Sequence, residues 1–181
     1  MSSTIDDNKL LKLLAVSLVD SPRGTFNELA KSVGISKATL HRFCGTRENL
    51  ETLLIDKSKE SMENVICVAE KEYDDYVNGV KLLIKSHYEG KEFLRYSCSF
   101  QNCTDDEYWN TYAKAIDSFF LRAQRQGVFR SDFSVSVLSE LFLSVIFGVI
   151  DSERRGRVAS SYMLETIEQF FLYGALNPLH A

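Results

Sequence analysis

Residues 25–50 read TFNELAKSVGISKATLHRFCGTRENL. Thr25 and Glu28 have the T-x-x-E spacing of a capping box, in which each side chain bonds the backbone N–H of the other, so a helix is predicted to begin there. Gly34 favours the left-handed conformation that ends a helix, and Ser36 is placed to cap a second short helix. The stretch therefore predicts two short helices joined by a tight turn, followed by the start of a third helix.

The second short helix is predicted to have one inward and one outward face. Leu40 and Cys44 lie on the inward face, while Lys37 and His41 share the opposite side. A short helix with a basic outer face, held to a preceding helix by a Gly-containing turn, is the helix-turn-helix pattern, whose second helix enters the major groove of DNA. The spacing alone is also compatible with an ordinary pair of core helices that has a solvated polar face.

Residues 34–50 resemble the recognition segment of the TetR-like family of bacterial one-component transcriptional repressors, whose pattern is roughly G-V-S-x-x-T-L-Y-x-[HY]-F-x-[ST]-K-E-x-L. The helix before it also resembles the family's I-A-x-x-x-G pattern. The positions that agree are Leu29, Ala30, Gly34, Ser36, Thr39, Leu40, Gly45, Thr46, Glu48 and Leu50. The resemblance implies a DNA-binding regulator that acts as a dimer and responds to a small molecule.

Three positions depart from that family pattern. His41 stands where a Tyr that touches a phosphate is usual, Phe43 where a polar residue is usual, and Cys44 where a core Phe is usual. Because a neutral His can still donate a hydrogen bond to a phosphate, we expect His41 to keep that role. We expect Phe43 to fill the volume that Cys44 leaves, and Arg47, in place of the usual Lys, to keep a cation at the start of the next helix.

The predicted DNA contacts fall into two groups, because phosphate contacts set the register of a protein on DNA whereas base contacts carry the sequence information. The candidates for base edges are Lys37, Ala38 and Thr39. The candidates for phosphates are Thr25, Ser36, His41, Arg42 and Arg47.

The charge distribution isolates this segment. Residues 1–50 hold seven Lys or Arg and five Asp or Glu, a net charge of +2, whereas residues 51–181 hold fourteen against twenty, a net charge of −6. Segment 21–50 alone carries +3, from five basic and two acidic residues. A small basic region on a larger acidic body suits a protein that touches DNA only through that region, and argues against a nucleic-acid groove along the whole chain.

The composition restricts the class of protein. With 181 residues, 45% hydrophobic and 25% charged, the chain fits an ordinary globular protein, and two Pro and nine Gly are too few for an all-β fold with many turns. No apolar run approaches the 18 residues of a membrane span, so no span is expected. The polar, acidic start lacks the features of a signal peptide, and we expect a cytoplasmic protein.

Apolar residues at helical spacing recur along the whole chain, which predicts an all-α fold of about nine helices. The first three helices are assigned to a helix-turn-helix DNA-binding domain at residues 1–46. Residues 47–181 are assigned to a helical domain for ligand binding and dimerisation.

The last two predicted helices are apolar on nearly all sides, which predicts that both of their faces are buried. In so small a body the second faces are expected to lie against another copy of the chain. The family resemblance implies the same homodimer, because the last two helices form the usual interface there. The predicted interface residues are Leu138, Phe142, Val145, Val149, Met163, Ile167, Phe170 and Phe171.

Aromatic side chains in the middle of the chain supply candidates for a pocket that binds an unknown small-molecule inducer. Aromatic walls with a few hydroxyl groups are typical of small-molecule sites, although the same residues are equally typical of a core. The candidates are Tyr88, Phe93, Tyr96, Phe100, Trp109, Tyr112, Ile116 and Phe119. Since none of these residues is charged, the pattern favours a largely apolar or aromatic ligand.

Other kinds of site have little support in the sequence. There is no arrangement of nucleophile, base and orienting group, no Gly-rich phosphate loop and no H-E-x-x-H motif, so an enzyme, a metal site and a bound cofactor are not predicted. Cys98 and Cys103 are close in sequence and are compatible either with packing or with redox or metal sensing. A disulfide is not expected in a reducing cytoplasm.

The sequence therefore predicts a ligand-responsive transcriptional repressor that binds a pseudo-palindromic operator as a dimer. The alternative is a helix-turn-helix DNA binder that is controlled by a protein partner or has no small-molecule inducer. The two hypotheses share the same DNA-binding region and differ only in whether the body holds a pocket.

Overall fold

The structure is a computed structural model that describes residues 6–99 and 106–175. Within these ranges it contains nine α-helices, one short 3₁₀ helix and no β-strand, which confirms the predicted all-α fold. The α-helices are α1 (Asp7–Asp20), α2 (Phe26–Ser32), α3 (Lys37–Cys44), α4 (Arg47–Glu70), α5 (Tyr76–Glu89), α6 (Lys91–Ser99), α7 (Asp106–Arg125), α8 (Val135–Arg154) and α9 (Met163–Ala175), and the 3₁₀ helix is Ser160–Tyr162.

The chain divides into two compact units. We call Met1–Ser61 with Glu92–Asp105 the head unit, and Met62–Lys91 with Asp106–Ala181 the body unit. This division differs from the predicted boundary between residues 46 and 47, because the first part of α4 and most of α6 belong to the head unit.

The helix caps of the head unit are those that the sequence predicts. The backbone N–H of Thr25 donates to Glu28 Oε2 at 2.7 Å, and the N–H of Glu28 donates to Thr25 Oγ1 at 3.3 Å, which completes the capping box of α2. Ser36 caps α3 by accepting from the N–H of Thr39 at 3.0 Å. Gly34 has a φ of +75°, a conformation that a residue with a Cβ rarely adopts. Residues close in sequence therefore determine where α2 ends and where α3 begins, and so fix both ends of the turn between them.

The core of the head unit is built from the inward faces of α1, α2 and α3. Leu14 and Leu18 of α1 pack in one cluster with Leu29 of α2 and Leu40 of α3. Cys44 is buried in the same cluster, and Phe43 is partly buried and packs against that cluster.

Helix α6 also contributes side chains to that core. Phe93 and Tyr96 are only 4% and 1% exposed and lie in the cluster of the head unit. The hydroxyl of Ser58 donates to the carbonyl of Phe93 at 2.8 Å, and Lys12 Nζ lies 3.3 Å from a carboxylate oxygen of Glu92. These contacts tie α6 to α4 and α1.

The body unit packs α5, α7, α8 and α9 around an aromatic core. The rings of Phe120 and Phe142 lie 5.3 Å apart, and those of Phe142 and Phe171 lie 5.1 Å apart, both edge to face. Edge-to-face contacts bring the positive rim of one ring to the negative face of another and stabilise the pair beyond the area that it buries. These three rings come from α7, α8 and α9, and buried side chains of α5 complete the core of this unit.

Helix α8 has 20 residues and a mean hydropathy of 1.8 over 18 of them, so it is long and apolar enough to cross a membrane by length and composition. That property was not expected from the sequence. The core helix of a globular protein meets the same criteria, and α8 packs against α5, α7 and α9. Its inner face is buried at Leu138, Phe142 and Ile146, whereas Val137 and Leu141 on its outer face are exposed.

Candidate nucleic-acid interface

The outward face of α3 is the exposed surface on which the DNA prediction rests. Lys37, Ala38, His41 and Arg42 are all exposed. No hydrogen bond or ion pair joins the side chain of Lys37 or Arg42 to any residue that the structure describes. Both cations are therefore available to an anionic partner without first breaking a contact within the protein.

Thr39 is less available than the other two predicted base readers. Its hydroxyl oxygen lies 2.9 Å from that of Ser36, with which it shares a hydrogen bond, and the residue is half-buried. Ser36 in turn accepts from the N–H of Thr39. Since both hydroxyls take part in the cap of α3, Lys37 and Ala38 are the freer candidates for base contacts.

The ring of His41 lies against α2. It meets the ring of Phe26 edge to face, with centroids 5.7 Å apart and planes at 75°. The imidazole is exposed, and its nitrogens bond to none of the described residues. Phe26 therefore fixes the orientation of His41 while leaving both nitrogens free for the predicted phosphate contact.

Thr25 is engaged more fully than the phosphate prediction assumed. Its hydroxyl donates to Glu28 Oε2 at 2.9 Å and also accepts from the backbone N–H of Glu28. The hydrogen bonds from the backbone and hydroxyl of Thr25 hold the pKa of the Glu28 carboxyl below its ordinary value of 4.5. A phosphate contact by the Thr25 hydroxyl would have to replace a charge-assisted hydrogen bond.

The guanidinium of Arg47 is bonded to acceptors of its own chain. Its guanidinium donates to the carbonyl of Gly24, to the carbonyl of Pro22 at 2.6 Å and to Glu51 Oε1 at 2.8 Å. The backbone acceptors belong to the turn between α1 and α2. The phosphate contact of Arg47 stays a prediction, and such a contact would have to replace hydrogen bonds that its donors make within the protein.

The predicted pocket residues are divided between the two units. Phe93 and Tyr96 belong to the core of the head unit, which corrects their assignment to a ligand pocket in the body. Their spacing in the sequence does not show which helices cover them. Phe100 lies outside the described residues, and the candidates left in the body unit are Tyr88, Trp109, Tyr112, Ile116 and Phe119.

A buried polar pair lies among these body residues. His87 is fully buried, its Nδ1 lies 2.7 Å from the carbonyl of Leu83, and its Nε2 lies 2.6 Å from the hydroxyl of Tyr112. Burial lowers the pKa of His87 from 6.5 to about 4, so the imidazole is neutral at pH 7. A neutral imidazole has one N–H, and the carbonyl can only accept, so Nδ1 donates to Leu83 and Nε2 accepts from Tyr112.

The sequence contained a signal for this pair that the pocket prediction missed. His87 follows Leu83 and Ile84 by four and three residues, so it lies on the buried stripe of α5. A histidine on an apolar stripe needs partners inside the core, and Tyr112 on α7 is one of them.

Tyr88 belongs to a polar cluster rather than to an apolar wall. Its hydroxyl donates to Glu153 at 3.2 Å, and the ammonium of Lys91 lies 3.9 Å from the centre of its ring. Lys91 also pairs with Glu153 at 2.6 Å. Burial raises the pKa of the Glu153 carboxyl, but the hydrogen bonds from Lys91, Ser160 and Tyr88 outweigh this effect and lower it overall.

The predicted dimer residues lie on both sides of α8 and α9. Five of them face the core of their own chain and are not available to a partner, which corrects the residue assignment: Leu138, Phe142, Met163, Ile167 and Phe171. Val145 and Val149 are half-buried, and Phe170 is 70% exposed. Exposed apolar or aromatic side chains remain on both helices, with Leu141 of α8 at 47% and Tyr173 of α9 at 78% exposure in addition to Phe170.

The cysteines add no further candidate site among the residues that the structure describes. Cys98 is exposed near the end of α6, and Cys103 lies outside the described residues. Within the part of the chain that the structure describes, no three His, Cys, Asp or Glu side chains are grouped closely enough to hold a metal ion.

Comparison with known proteins points to one class of regulator. The HTH-type transcriptional regulator NfxB of Pseudomonas aeruginosa is 45% identical over 179 residues, which cover 95% of each chain. No family model matches the chain.

Solved structures share the fold. The TetR family transcriptional regulator PfmR from Thermus thermophilus aligns with a TM-score of 0.63, covering 90% of this chain and 94% of its own at 18% identity. SmeT, the repressor of the Stenotrophomonas maltophilia multidrug efflux pump SmeDEF, aligns with a TM-score of 0.58, covering 97% of this chain and 92% of its own at 10% identity. The identity to NfxB over nearly all of both chains shows that this chain belongs to the HTH-type transcriptional regulators, and its fold is that of TetR family regulators.

Proposed function

We propose that the protein is a cytoplasmic, ligand-responsive repressor that binds a pseudo-palindromic operator as a homodimer. As a relative of NfxB it is a transcriptional regulator and not an enzyme. The observation that carries the DNA proposal is the exposed face of α3, where Lys37 and Arg42 are free of partners among the described residues. SmeT, which shares the fold, is a repressor, and this supports repression as the direction of control here.

The operator follows from the symmetry of a dimer. Two copies of α3, one from each chain, would enter successive major grooves about 34–36 Å apart, or one turn of DNA, so the two half-sites should be inverted repeats. Lys37 and Ala38 would contact base edges, and Ser36, His41 and Arg42 would contact phosphates.

The second copy of the chain is proposed to cover the outer face of α8 and α9. Leu141, Phe170 and Tyr173 are large apolar or aromatic side chains that this face presents to solvent. Large exposed apolar side chains that lie together mark interaction sites more often than ordinary protein surface does. The exposed residues, rather than the five buried ones named above, are the proposed contacts.

The ligand is proposed to be small and largely apolar or aromatic, and to bind in the body unit. Trp109 is half-buried and stacks at a tilt on Tyr112, with ring centroids 5.2 Å apart, next to the His87–Tyr112 hydrogen bond. The Tyr112 hydroxyl donates its proton to His87 and keeps an acceptor lone pair, so it would orient a ligand hydroxyl that donates to it. To change DNA occupancy from 99% to 1%, the ligand must favour the released form by about 5.5 kcal/mol.

Two experiments test the proposal. Selection of duplexes from a random-sequence pool by the full-length protein should enrich an inverted repeat, and enrichment of no sequence would contradict an operator-binding role. A panel of neutral aromatic compounds is then tested for release of the selected duplex by fluorescence anisotropy. The protein could enrich an operator while no compound in the panel raises the melting temperature of the protein or releases the DNA. That result would favour the alternative, a DNA binder that is controlled by a protein partner.

A further inference from the structure

Arg47 is the first residue of α4, and its side chain spans a long distance in sequence. Two of its guanidinium nitrogens donate to Gly24 and Pro22, which precede it by 23 and 25 residues. The third, Nε, donates to Glu51 one turn further along α4. The side chain is 28% exposed, so these bonds are partly shielded from water.

The segment that Arg47 holds is the turn that delivers the chain to α2. Within it, the N–H of Gly24 donates to the carbonyl of Ser21 at 2.9 Å, and a Cβ added at Gly24 would approach that same oxygen to 3.1 Å. Thr25, the N-cap of α2, follows immediately. The position of the turn therefore sets where α2 begins.

The other end of α2 has its own attachment to α1. The hydroxyls of Ser17 and Ser32 lie 2.6 Å apart and share a hydrogen bond. The two ends of α2 are thus fixed by different contacts, with Arg47 acting at the start and Ser32 at the end. Since α2 supports α3, the orientation of the exposed α3 face depends on both.

A guanidinium suits this task and an ammonium does not. The planar fork of arginine presents several N–H groups in fixed directions, so one side chain can reach two carbonyls and a carboxylate together. Lysine carries the same charge at a single nitrogen. The difference between the two side chains separates a positioning role from a charge contact with DNA.

We propose that Arg47 is a positioning residue for DNA binding: it holds the Ser21–Gly24 turn and the start of α2 on the first turn of α4, and it does not itself neutralise a phosphate. This rests on the DNA-binding function proposed above. It reverses the role that the sequence pattern suggests for a cation at this position.

The test compares Arg47→Lys and Arg47→Ala with Arg42→Ala, whose side chain is free among the described residues. Affinity for the duplex selected by the wild-type protein and for a mixed-sequence duplex is measured at several salt concentrations, well below the melting temperature. Far-UV circular dichroism checks that each variant is folded, and Arg47→Lys keeps the test valid if Arg47→Ala fails to fold.

Both Arg47 variants should bind the selected duplex roughly tenfold more weakly, which equals about 1.4 kcal/mol, and should discriminate less against the mixed-sequence duplex. Their dependence of log K on log salt should equal that of the wild type. Arg42→Ala should instead reduce that slope by about 0.9, the contribution of one phosphate contact.

Two results would overturn the proposal. One is wild-type affinity in Arg47→Lys together with a slope of log K against log salt that is reduced by about 0.9 in Arg47→Ala. This result would assign a phosphate contact to Arg47. The other is a lower melting temperature in both variants with wild-type DNA affinity while folded, which would leave Arg47 a purely stabilising role. Failure of the DNA-binding function itself would be recognised earlier, because the wild-type protein would then enrich no duplex.

Discussion

At the scale of single residues, the cations near α3 differ in whether their N–H groups are already bonded within the protein. Lys37 is exposed on α3 with no bonded partner among the described residues, whereas the guanidinium of Arg47 is directed at two carbonyls of its own chain. Both carry a positive charge, so net charge alone does not distinguish them. The free donor of Lys37 suits the base contact proposed for it, whereas the engaged donors of Arg47 suit the positioning role proposed for that residue.

We predict that Lys37→Ala weakens binding to the selected duplex and relaxes the preference for a base pair within each half-site. A good contact with a base edge is worth about 1–3 kcal/mol of discrimination. The measurement is anisotropy on a panel of duplexes with single-base changes. Lys114→Ala, which makes the same change on α7 of the body unit, should leave every affinity unchanged. An unaltered ranking of the duplexes in Lys37→Ala would remove this residue from the base readers.

His87 gives the body unit a pH-dependent stability. Its pKa in the folded protein, about 4, is below the ordinary 6.5 because burial disfavours the imidazolium. Between these values the unfolded chain binds a proton that the folded chain does not. The stability that neutral His87 contributes is therefore complete above pH 6.5 and is lost as the pH falls toward 4.

We predict that the wild-type protein loses about 2 kcal/mol more unfolding free energy between pH 7 and pH 4.5 than His87→Phe does, since each unit of pKa difference corresponds to about 1.4 kcal/mol. Urea unfolding at the two pH values measures the difference. Tyr112→Phe keeps the buried imidazole, so its pH dependence should match the wild type. Equal losses in wild type and His87→Phe would show that other groups govern the acid response.

At the scale of helices, the C-terminal end of α4 depends on a side chain from α7. Arg122 donates to the carbonyl of Ala69 at 2.5 Å and to that of Lys71 at 3.2 Å, and its Nε donates to the hydroxyl of Tyr76 at 3.1 Å. The last carbonyls of a helix have no partner within the helix. Arg122 supplies partners at the end of α4.

We predict that Arg122→Met destabilises the protein by roughly 2 kcal/mol, because hydrogen bonds from a charged donor are worth about 1.5–3 kcal/mol and their removal leaves carbonyls without a partner. Urea unfolding measures the change. Arg125→Met makes the same replacement three residues later at an exposed position and should stay within about 0.5 kcal/mol of the wild type. A destabilisation equal in the two variants would argue against this capping role.

At the scale of the whole molecule, the outer face of α8 and α9 carries the proposal of a dimer. The inner faces of these helices fill the core of the body unit, and Phe170 and Tyr173 remain exposed on the other side. Burying an apolar side chain of this size stabilises an association by about 1.5–3 kcal/mol relative to leaving it in water.

We predict that the double variant Phe170→Lys/Tyr173→Lys is a folded monomer at micromolar concentration. It should bind the full operator more weakly than the wild-type dimer does, because two separate monomers must then bind the two half-sites of the operator independently. Sedimentation velocity should show half the wild-type mass, with unchanged helical circular dichroism. Leu53→Lys changes an exposed apolar residue of the head unit and should remain dimeric. A double variant that keeps the wild-type mass would place the interface elsewhere.

The parts of the fold that could be predicted from the sequence are those that depend only on contacts between residues close in sequence. Thr25 and Glu28 meet across one helical turn, and Gly34 adopts its left-handed φ without help from distant residues. The caps, the helix order and the exposed face of α3 could therefore be predicted. Phe93 and Tyr96 were predicted to line a pocket, and their local pattern could not show that α6 packs into the cluster of the head unit.

The sequence by itself thus determined the helices, their ends and the helix-turn-helix of residues 25–50, because capping and turn formation act over a few residues. Only the tertiary structure decided that α6 completes the core of the head unit, that Arg47 binds the turn before α2, and which faces of α8 and α9 are buried. Each of these depends on groups that are distant in sequence, and an apolar or charged side chain has the same local pattern whichever distant partner it meets.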